Sequence, residues 1–526
     1  MLRACSRGSS RKPRWRWRSV RSSRSGSMIM NKLDARIDAR LPFSAAQIPL
    51  DEFHRLRREN LARWPTGAEI DLDEAAAYHL AMPEKKRLPA VMKKAEAEGR
   101  CLTQPRGGFG TLELQIELMR ELENTGLADI VPTTTDSYTR NEQWAKAADG
   151  VEESRKAGRS MLNGFPMVNY GPRETRKLIE AIGRPAIVLS GTSFPRFTGE
   201  VGYAAGYTGY LGSGVAYTVS YTKETSLEEG IRNYQYLDRL VALYAEKGVL
   251  LHRRQPGFLT GTNIPPSIAI VTGIIDALLA AHQGVRDYGL ELAQTLHLVQ
   301  DAAGIRMARV LVQEYLRRFG FDDVFTPITS LHWMGAWPYD ETQAAALLAY
   351  GGTLAGVAGA NSVTTKSTHE AFGLPTPAAN AEGLRITRMA LYLARGLRLD
   401  SMPEFRRECD LIRREVTAVM DKVLEMGEGD VAQGTVRAAE AGVLDIPWSP
   451  NRWIKSRVMP ARDAEGYFRI LSPGLMPFPK DVLDFHEECL RKRAEKENIP
   501  YGDELAVRSV YELSEPLVNL APAVLA

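Results

Sequence analysis

Seven polar, glycine-punctuated strings carry most of the side chains that could do chemistry. They are QPRGGFG (104–110), TTTDSYTRNE (133–142), NGFPMVNYGPR (163–173), SGTSFP (190–195), YTVSYTKE (217–224), TSLHWMGAWP (329–338) and TTKSTHEAFGLP (364–375). Between them they hold Arg106, Tyr138, Arg140, Asn163, Tyr217, Tyr221, His332, Lys366, His369 and Glu370. A guanidinium can grip a carboxylate or phosphate with two parallel hydrogen bonds. Tyrosine adds an apolar body with a polar tip. Two arginines on separate strings, with tyrosines nearby, therefore predict a small ligand bearing a carboxylate or phosphate. The alternative for each arginine is a local ion pair, which Asp136 or Glu142 could supply for Arg140.

Other chemistries lack their patterns. The eight histidines form no HxH or HExxH group, and His369 beside Glu370 is a lone pair, so no directly bound metal is expected. There is no GxSxG elbow and no GxGxxG after the first predicted strand. The cysteines Cys5, Cys101, Cys409 and Cys489 form no CxxC pair, which predicts a reducing, cytoplasmic setting without structural zinc.

The strings need elements to position them. Short apolar segments recur at 100–104, 128–133, 161–168, 186–191, 215–220, 249–253, 323–328 and 361–365, with helix-like stretches such as RETRKLIEAIG between them. Eight strand candidates alternating with helices predict an α/β fold, a (β/α)8 TIM barrel, with a doubly wound open sheet as the alternative. Nearly every string follows directly on a predicted strand. In a barrel such strings lie at the C-terminal ends of the strands, on the face where barrel active sites are built. The uncharged stretch Gly202–Tyr221, dense in Gly and Tyr, reads as a loop entering a strand that lines the pocket.

The flanks read differently. Residues 31–98 predict a charged, helical N-terminal extension, 99–396 the catalytic barrel, and 397–526 a helical and irregular C-terminal subdomain on or near the barrel mouth. Residues 1–30 hold nine Lys or Arg and no acid, and read as a disordered or non-native basic segment. Without those nine the formal charge of +3 becomes −6, which speaks against a nucleic-acid surface. The apolar fraction of 44% and charged fraction of 25% suit a globular chain, and no apolar run reads as long enough to cross a bilayer.

QPRGGFG, TTTDSYTR, AGRSMLNGFPMVNYG, SYTKE, GFLTGTNIPPS, KSTHEAFGLPT and GDVAQGTVRAAEAGVLDIP together resemble, in order, the E (epsilon) subunit family of glutamate mutase, also called methylaspartate mutase. The likeness runs from about residue 44 to about residue 500. It implies an adenosylcobalamin (coenzyme B12)-dependent isomerase that converts L-glutamate to 3-methylaspartate by a radical rearrangement. It implies a heterotetramer, with a homodimer of this chain and a separate small S subunit that carries the DxHxxG cobalamin motif. The nearest string here, DFHEEC, lacks that glycine. By similarity, Lys366 and Glu370 match adenosine contacts. Gly108, Asn163, Ser220, Trp337 and Leu374 match cobalamin contacts, with Thr134 nearby. Arg106, Arg140, Tyr217 and Tyr221 match contacts to a small carboxylate substrate, as does Ser190.

Two positions depart from the family pattern. Its third substrate-clasping arginine falls at Leu189. Its glutamate for the substrate ammonium, also its candidate acid/base, falls at Leu211, which leaves the catalytic residue unknown. Three readings follow: the family reaction; the same radical chemistry on a different, more apolar acid or amino acid, one lacking a carboxylate or amine or bearing an alkyl group; and a non-catalytic binding paralogue. A barrel lyase or aldolase without cobalamin is a further alternative.

Overall fold

A computed structural model describes residues 41–257 and 263–519, with side chains described as far as residue 512. The basic segment 1–30 and part of the GFLTGTNIPPS string lie outside the described residues. The core is one parallel eight-stranded sheet: β1 (Leu102–Gln104), β2 (Val131–Thr134), β3 (Ala186–Leu189), β4 (Gly209–Leu211), β5 (His252–Arg254), β6 (Tyr288–Ala293), β7 (Ile328–Leu331) and β8 (Ser362–Thr364). β1 pairs with β8, and each of β2 to β7 pairs with the strand that follows it. The remaining gap is bridged by backbone bonds from Ile130 N to Thr103 O and from Thr134 N to Gly107 O. The sheet thus closes into the predicted (β/α)8 barrel. Its strands are short and almost wholly buried, as parallel strands roofed by helices must be.

Two predicted strands are not strands. Segment 161–168 pairs only through the isolated bridge between Thr135 and Phe165, and a helix starts at Met167. Pro166, with no N–H to give a ladder, marks that boundary. Segment 215–220 lies almost wholly in a helical turn, Ala216–Tyr221. Its Val and Thr content suggests a strand, but buried partners at both ends impose the helix. The Asp276 carboxylate accepts from Val215 N (3.0 Å) and Ala216 N (3.1 Å). Asn451 Nδ2 donates to Thr218 O (3.2 Å) and Thr225 O (2.9 Å), and Ser449 Oγ to Val219 O (2.6 Å). The two strands that sequence patterning misses are β4, three residues among glycines, and β6, whose YGLELA is interrupted by Glu291.

Helices before β1 include Leu50–Leu61, Leu72–Ala81 and Leu88–Ala97. After the helix Pro377–Ala394 come Pro403–Met426, Val431–Ala441, a hairpin of β9 (Met459–Arg462) and β10 (Phe468–Ser472), then Lys480–Glu497 and Asp503–Asn519. The helix Pro403–Met426 packs on the outer barrel helices Leu298–Arg318 and Pro266–Gln283, while the β9–β10 hairpin meets the loop after β6, where Arg462 Nη2 donates to Thr295 O at 3.3 Å. The loop carrying Ser449 and Asn451 is what reaches the site. The helix Pro266–Gln283 is long and apolar enough to cross a membrane by length and composition, contrary to the sequence reading, but it is 94% buried inside the protein.

Candidate active site

The strand ends converge on a cavity of about 130 Å³ at the C-terminal face. It is lined by Arg106, Arg140, Leu189, Leu211, Tyr217 and Tyr221, all expected from the sequence. Gln104, Glu291 and Met334 also line it, and sequence reasoning did not single them out.

Arg106 follows β1 on its polar loop, and its Nη1 reaches only the Met334 sulfur, at 3.7 Å. Arg140 ends the short helical turn Ser137–Arg140, and its Nε lies 3.4 Å from Asp136 O. The carboxylates that could have paired with Arg140 do not reach it within ion-pair distance, although Asp136 Oδ2 is buried with no hydrogen-bond partner among the described residues. Asp136 accepts from Tyr138 N and Thr139 N, capping the turn, and Glu142 pairs with Arg63 at the surface. Among the described residues no carboxylate lies within ion-pair distance of Arg106 or Arg140. Burial lowers the Arg140 pKa, and the nearby Tyr217 and Asp136 oppose that shift.

Tyr217 and Tyr221 are one turn apart on the Ala216–Tyr221 helix, so their rings stack, with centroids 4.7 Å apart and planes 11° apart. Had 215–220 been a strand, this spacing would still have put both on one face but further apart. Burial raises the Tyr217 phenol pKa, and Arg140 pulls it back. Gly191 lets the Tyr217 ring come close: a Cβ there would stand 2.8 Å from its Cε2. Tyr221 Oη donates to Gly257 O at 3.2 Å.

The wall formed by β3 and β4 is apolar. Leu189 and Leu211 are register partners on adjacent strands and belong to a cluster with Leu88, Leu102 and Ile187. Ser190 is fully buried, and its Oγ accepts from Thr135 Oγ1 at 2.9 Å; it is not among the cavity-lining residues. Deeper in the barrel, Arg254 donates to Gln104 Oε1 (2.9 Å) and Thr329 Oγ1 (3.1 Å). Glu291 accepts from Thr364 Oγ1 (2.6 Å) and Gly257 N (3.0 Å), and lies 3.9 Å from Arg254. An arginine at a strand end and one acid inside an apolar strand were the sequence signals for this pair.

Beside Arg106, Lys366 donates to Glu370 Oε2 at 2.6 Å, and its ammonium stands 5.7 Å from the Trp337 ring centroid. Burial lowers the Lys366 pKa, Glu370 raises it, and Arg106 lowers it further. Asn163 Oδ1 accepts from Ser137 N at 2.9 Å, tying its loop to the turn that carries Arg140. Gly108 packs against Thr134 O and Gly164, and Thr134 Oγ1 accepts from Gly107 N at 3.3 Å. Ser220 Oγ is buried without a hydrogen-bond partner among the described residues, while Leu374 is exposed. Three of the remaining residues, His332, His369 and Tyr138, are not among those lining the cavity. His332 is buried against Gly351 with its pKa pushed down to about 3, chiefly by burial. His369 pairs with Glu341 at 3.1 Å on the surface. Tyr138 is exposed. Among the described residues no group of His, Cys, Asp and Glu could hold a metal ion.

The fold and this pocket define a class: a (β/α)8-barrel enzyme whose C-terminal face suits a small anion. The methylaspartate mutase E chain family matches residues 82–520. The chain is 41% identical over 477 residues to the glutamate mutase epsilon subunit of Treponema denticola, which covers 91% of this chain and 98% of that one. The epsilon subunit of Desulfitobacterium hafniense is 41% identical over 469 residues, or 89% and 97% of the two chains. The chain belongs to the methylaspartate mutase E chain family, and is an isomerase of the glutamate mutase type.

Proposed function

We propose that this chain is the substrate-binding barrel subunit of an adenosylcobalamin-dependent carbon-skeleton mutase that acts on a small carboxylate. A separate small cobalamin-binding subunit completes it, and two copies of this chain form the assembly's centre. The observation that carries the reading is the meeting, at one strand-end cavity, of two arginines with no carboxylate within ion-pair distance among the described residues and a stacked tyrosine pair, beside a buried lysine paired with a partly buried glutamate.

The residues at the rim fit the coenzyme. Glu370 is the one hydrogen-bond partner of Lys366 among the described residues, so this buried ammonium keeps donors for a polar ligand. Ser220 Oγ is a second buried group without a partner among the described residues. Lys366 and Glu370 would hold the adenosine ribose. Gly108, Asn163, Ser220, Trp337 and Leu374 would contact the cobalamin, with Thr134 behind Gly108. Bound adenosylcobalamin supplies the radical that takes a hydrogen from the substrate and later returns it.

The chain's own residues bind, orient and shield. Arg106 and Arg140 hold carboxylate oxygens, and the Tyr217–Tyr221 stack closes one side of the pocket. Leu189 and Leu211 exclude water from a second side, which protects a reactive intermediate. Substitution Lys366→Ala tests the reading by a direct readout. Adenosylcobalamin binding to the chain mixed with its DxHxxG partner is followed by visible absorption. A loss of roughly tenfold or more in coenzyme affinity is expected for one removed charge-assisted contact. Unchanged affinity, or no coenzyme binding by the unaltered mixture, refutes the proposal.

A further inference from the structure

We infer that this site selects an acid without an ammonium group, with an alkyl substituent where an amino acid carries its amine. The inference rests on the mutase reading and names its substrate class.

The charges around the cavity are segregated. Arg106 and Arg140, from the loops after β1 and β2, contribute two cations with no acid partner among the described residues. Gln104 adds a buried Nε2 donor with no hydrogen-bond partner among the described residues. Three donors of this kind serve the oxygens of a carboxylate, and none of them can accept from an ammonium. The adjoining wall is two leucines side by side, 6% and 9% exposed. That wall is fixed. Arg253 donates to the carbonyls on either side of Leu211, Tyr210 O at 2.8 Å and Gly212 O at 3.1 Å, while its Nε pairs with Asp238 at 2.7 Å.

Among the described residues one carboxylate lines the cavity, that of Glu291. Both of its oxygens already accept hydrogen bonds, from Thr364 Oγ1 and Gly257 N, and Arg254 stands nearby to neutralise it. An ammonium group entering here would lose its water, face two arginines and two leucines, and find no uncommitted acid among the described residues that line the cavity. Such an unpaired buried charge is strongly disfavoured. A methyl or ethyl group in the same place would lie against Leu189 and Leu211 and gain from burial. Leu189 and Leu211 are thus specificity-determining residues, set against the anchoring pair Arg106 and Arg140.

The test uses the chain assembled with its small cobalamin-binding partner and titrates two acids that share a skeleton. They are glutamate and 2-methylglutarate, in which methyl replaces the ammonium. Calorimetry is expected to give 2-methylglutarate the tighter binding by roughly tenfold or more. Leu211→Glu is expected to narrow or reverse that order. If this variant does not fold, the comparison in the unaltered chain decides alone. Equal or tighter binding of glutamate by the unaltered chain overturns the inference. Coenzyme binding, read separately by visible absorption, tells the two failures apart. Retained coenzyme with preferred glutamate defeats the substrate class alone, whereas absent coenzyme binding defeats the mutase reading.

Discussion

Gly191→Ala puts the geometry of the tyrosine wall to a quantitative test. The added Cβ would sit 2.8 Å from Tyr217 Cε2, with the next ring atoms at 3.5 and 3.6 Å. Carbon atoms pack best beyond about 3.5 Å, so the ring has to recede by about 0.7 Å. It cannot do so alone, because Tyr217 is stacked on Tyr221 at 4.7 Å. Either the pair shifts together or Tyr217 tips, and the cavity wall changes in both cases. Overpacking of this size costs about 1–3 kcal/mol of stability. The functional effect is of comparable size, because a displacement approaching an ångström in a positioning group costs about 10²-fold in rate, about 2.7 kcal/mol, when it is fully expressed. Calorimetric titration of the better-binding acid should show a loss of roughly tenfold. The mechanism makes a second demand. Once Tyr217→Ala has removed the ring, Gly191→Ala should have almost no further effect, since contacting residues are non-additive. Unaltered acid binding in the single variant refutes the reasoning. So does a Gly191→Ala penalty that persists undiminished without the ring.

Arg140→Gln should cut acid affinity by roughly tenfold or more, yet leave thermal stability nearly unchanged, because no carboxylate among the described residues lies within ion-pair distance of the guanidinium and Asp136 acts on it only from further off. Titration and a thermal melt of the same sample check both halves. Asn451→Ala removes the side chain that holds Thr218 O and Thr225 O, and should speed amide exchange across 216–225 while weakening acid binding. Asp276 has its carboxyl pushed up to about 6, chiefly by burial, above the usual carboxylate value of about 3.9. The folded state therefore binds this proton more tightly, so the contribution of Asp276 to stability is full below about pH 4 and is lost as pH rises through about 6. Asp276→Asn should flatten that part of the stability–pH profile. It should also cost about 1–3 kcal/mol for the acceptor lost to Val215 N or Ala216 N. Melting temperatures across pH 4 to 8 decide.

The barrel was legible because its grammar is redundant. Alternation of apolar segments with helices survives a few misplaced strands, and the polar strings mark the C-terminal face even where the strand before them is misread. Segments 161–168 and 215–220 show why local pattern fails. The first carries strand-like residues but pairs through Phe165 alone. The second is held in a helix by Asp276 and Asn451, which lie 60 and more than 200 residues away along the chain. Neither partner can be inferred from the propensities of Val, Thr and Tyr. β4 escaped because three residues between glycines look like a loop, and β6 because Glu291 breaks its apolar run.

The pocket divides along the same line. Arg106, Arg140, Tyr217 and Tyr221 stand on the strings after the strands, where linear sequence announces them. Gln104, Arg254 and Glu291 stand inside the strands and point into the barrel, where a polar residue is recognisable only once its partner across the barrel is known. That distinction matters for the ligand. If, as the resemblance implies, Leu189 and Leu211 stand where the family has one Arg and one Glu, that exchange leaves the formal charge of the chain unchanged. It moves the charge that a ligand meets. The cations stay on the β1 and β2 side, the leucines occupy the β3 and β4 side, and Glu291 is spent on Thr364, Gly257 and Arg254. Affinity depends on those local fields in a dry cavity and not on their sum. A chain can therefore keep the fold and the anchoring arginines of its family while changing which acid it holds.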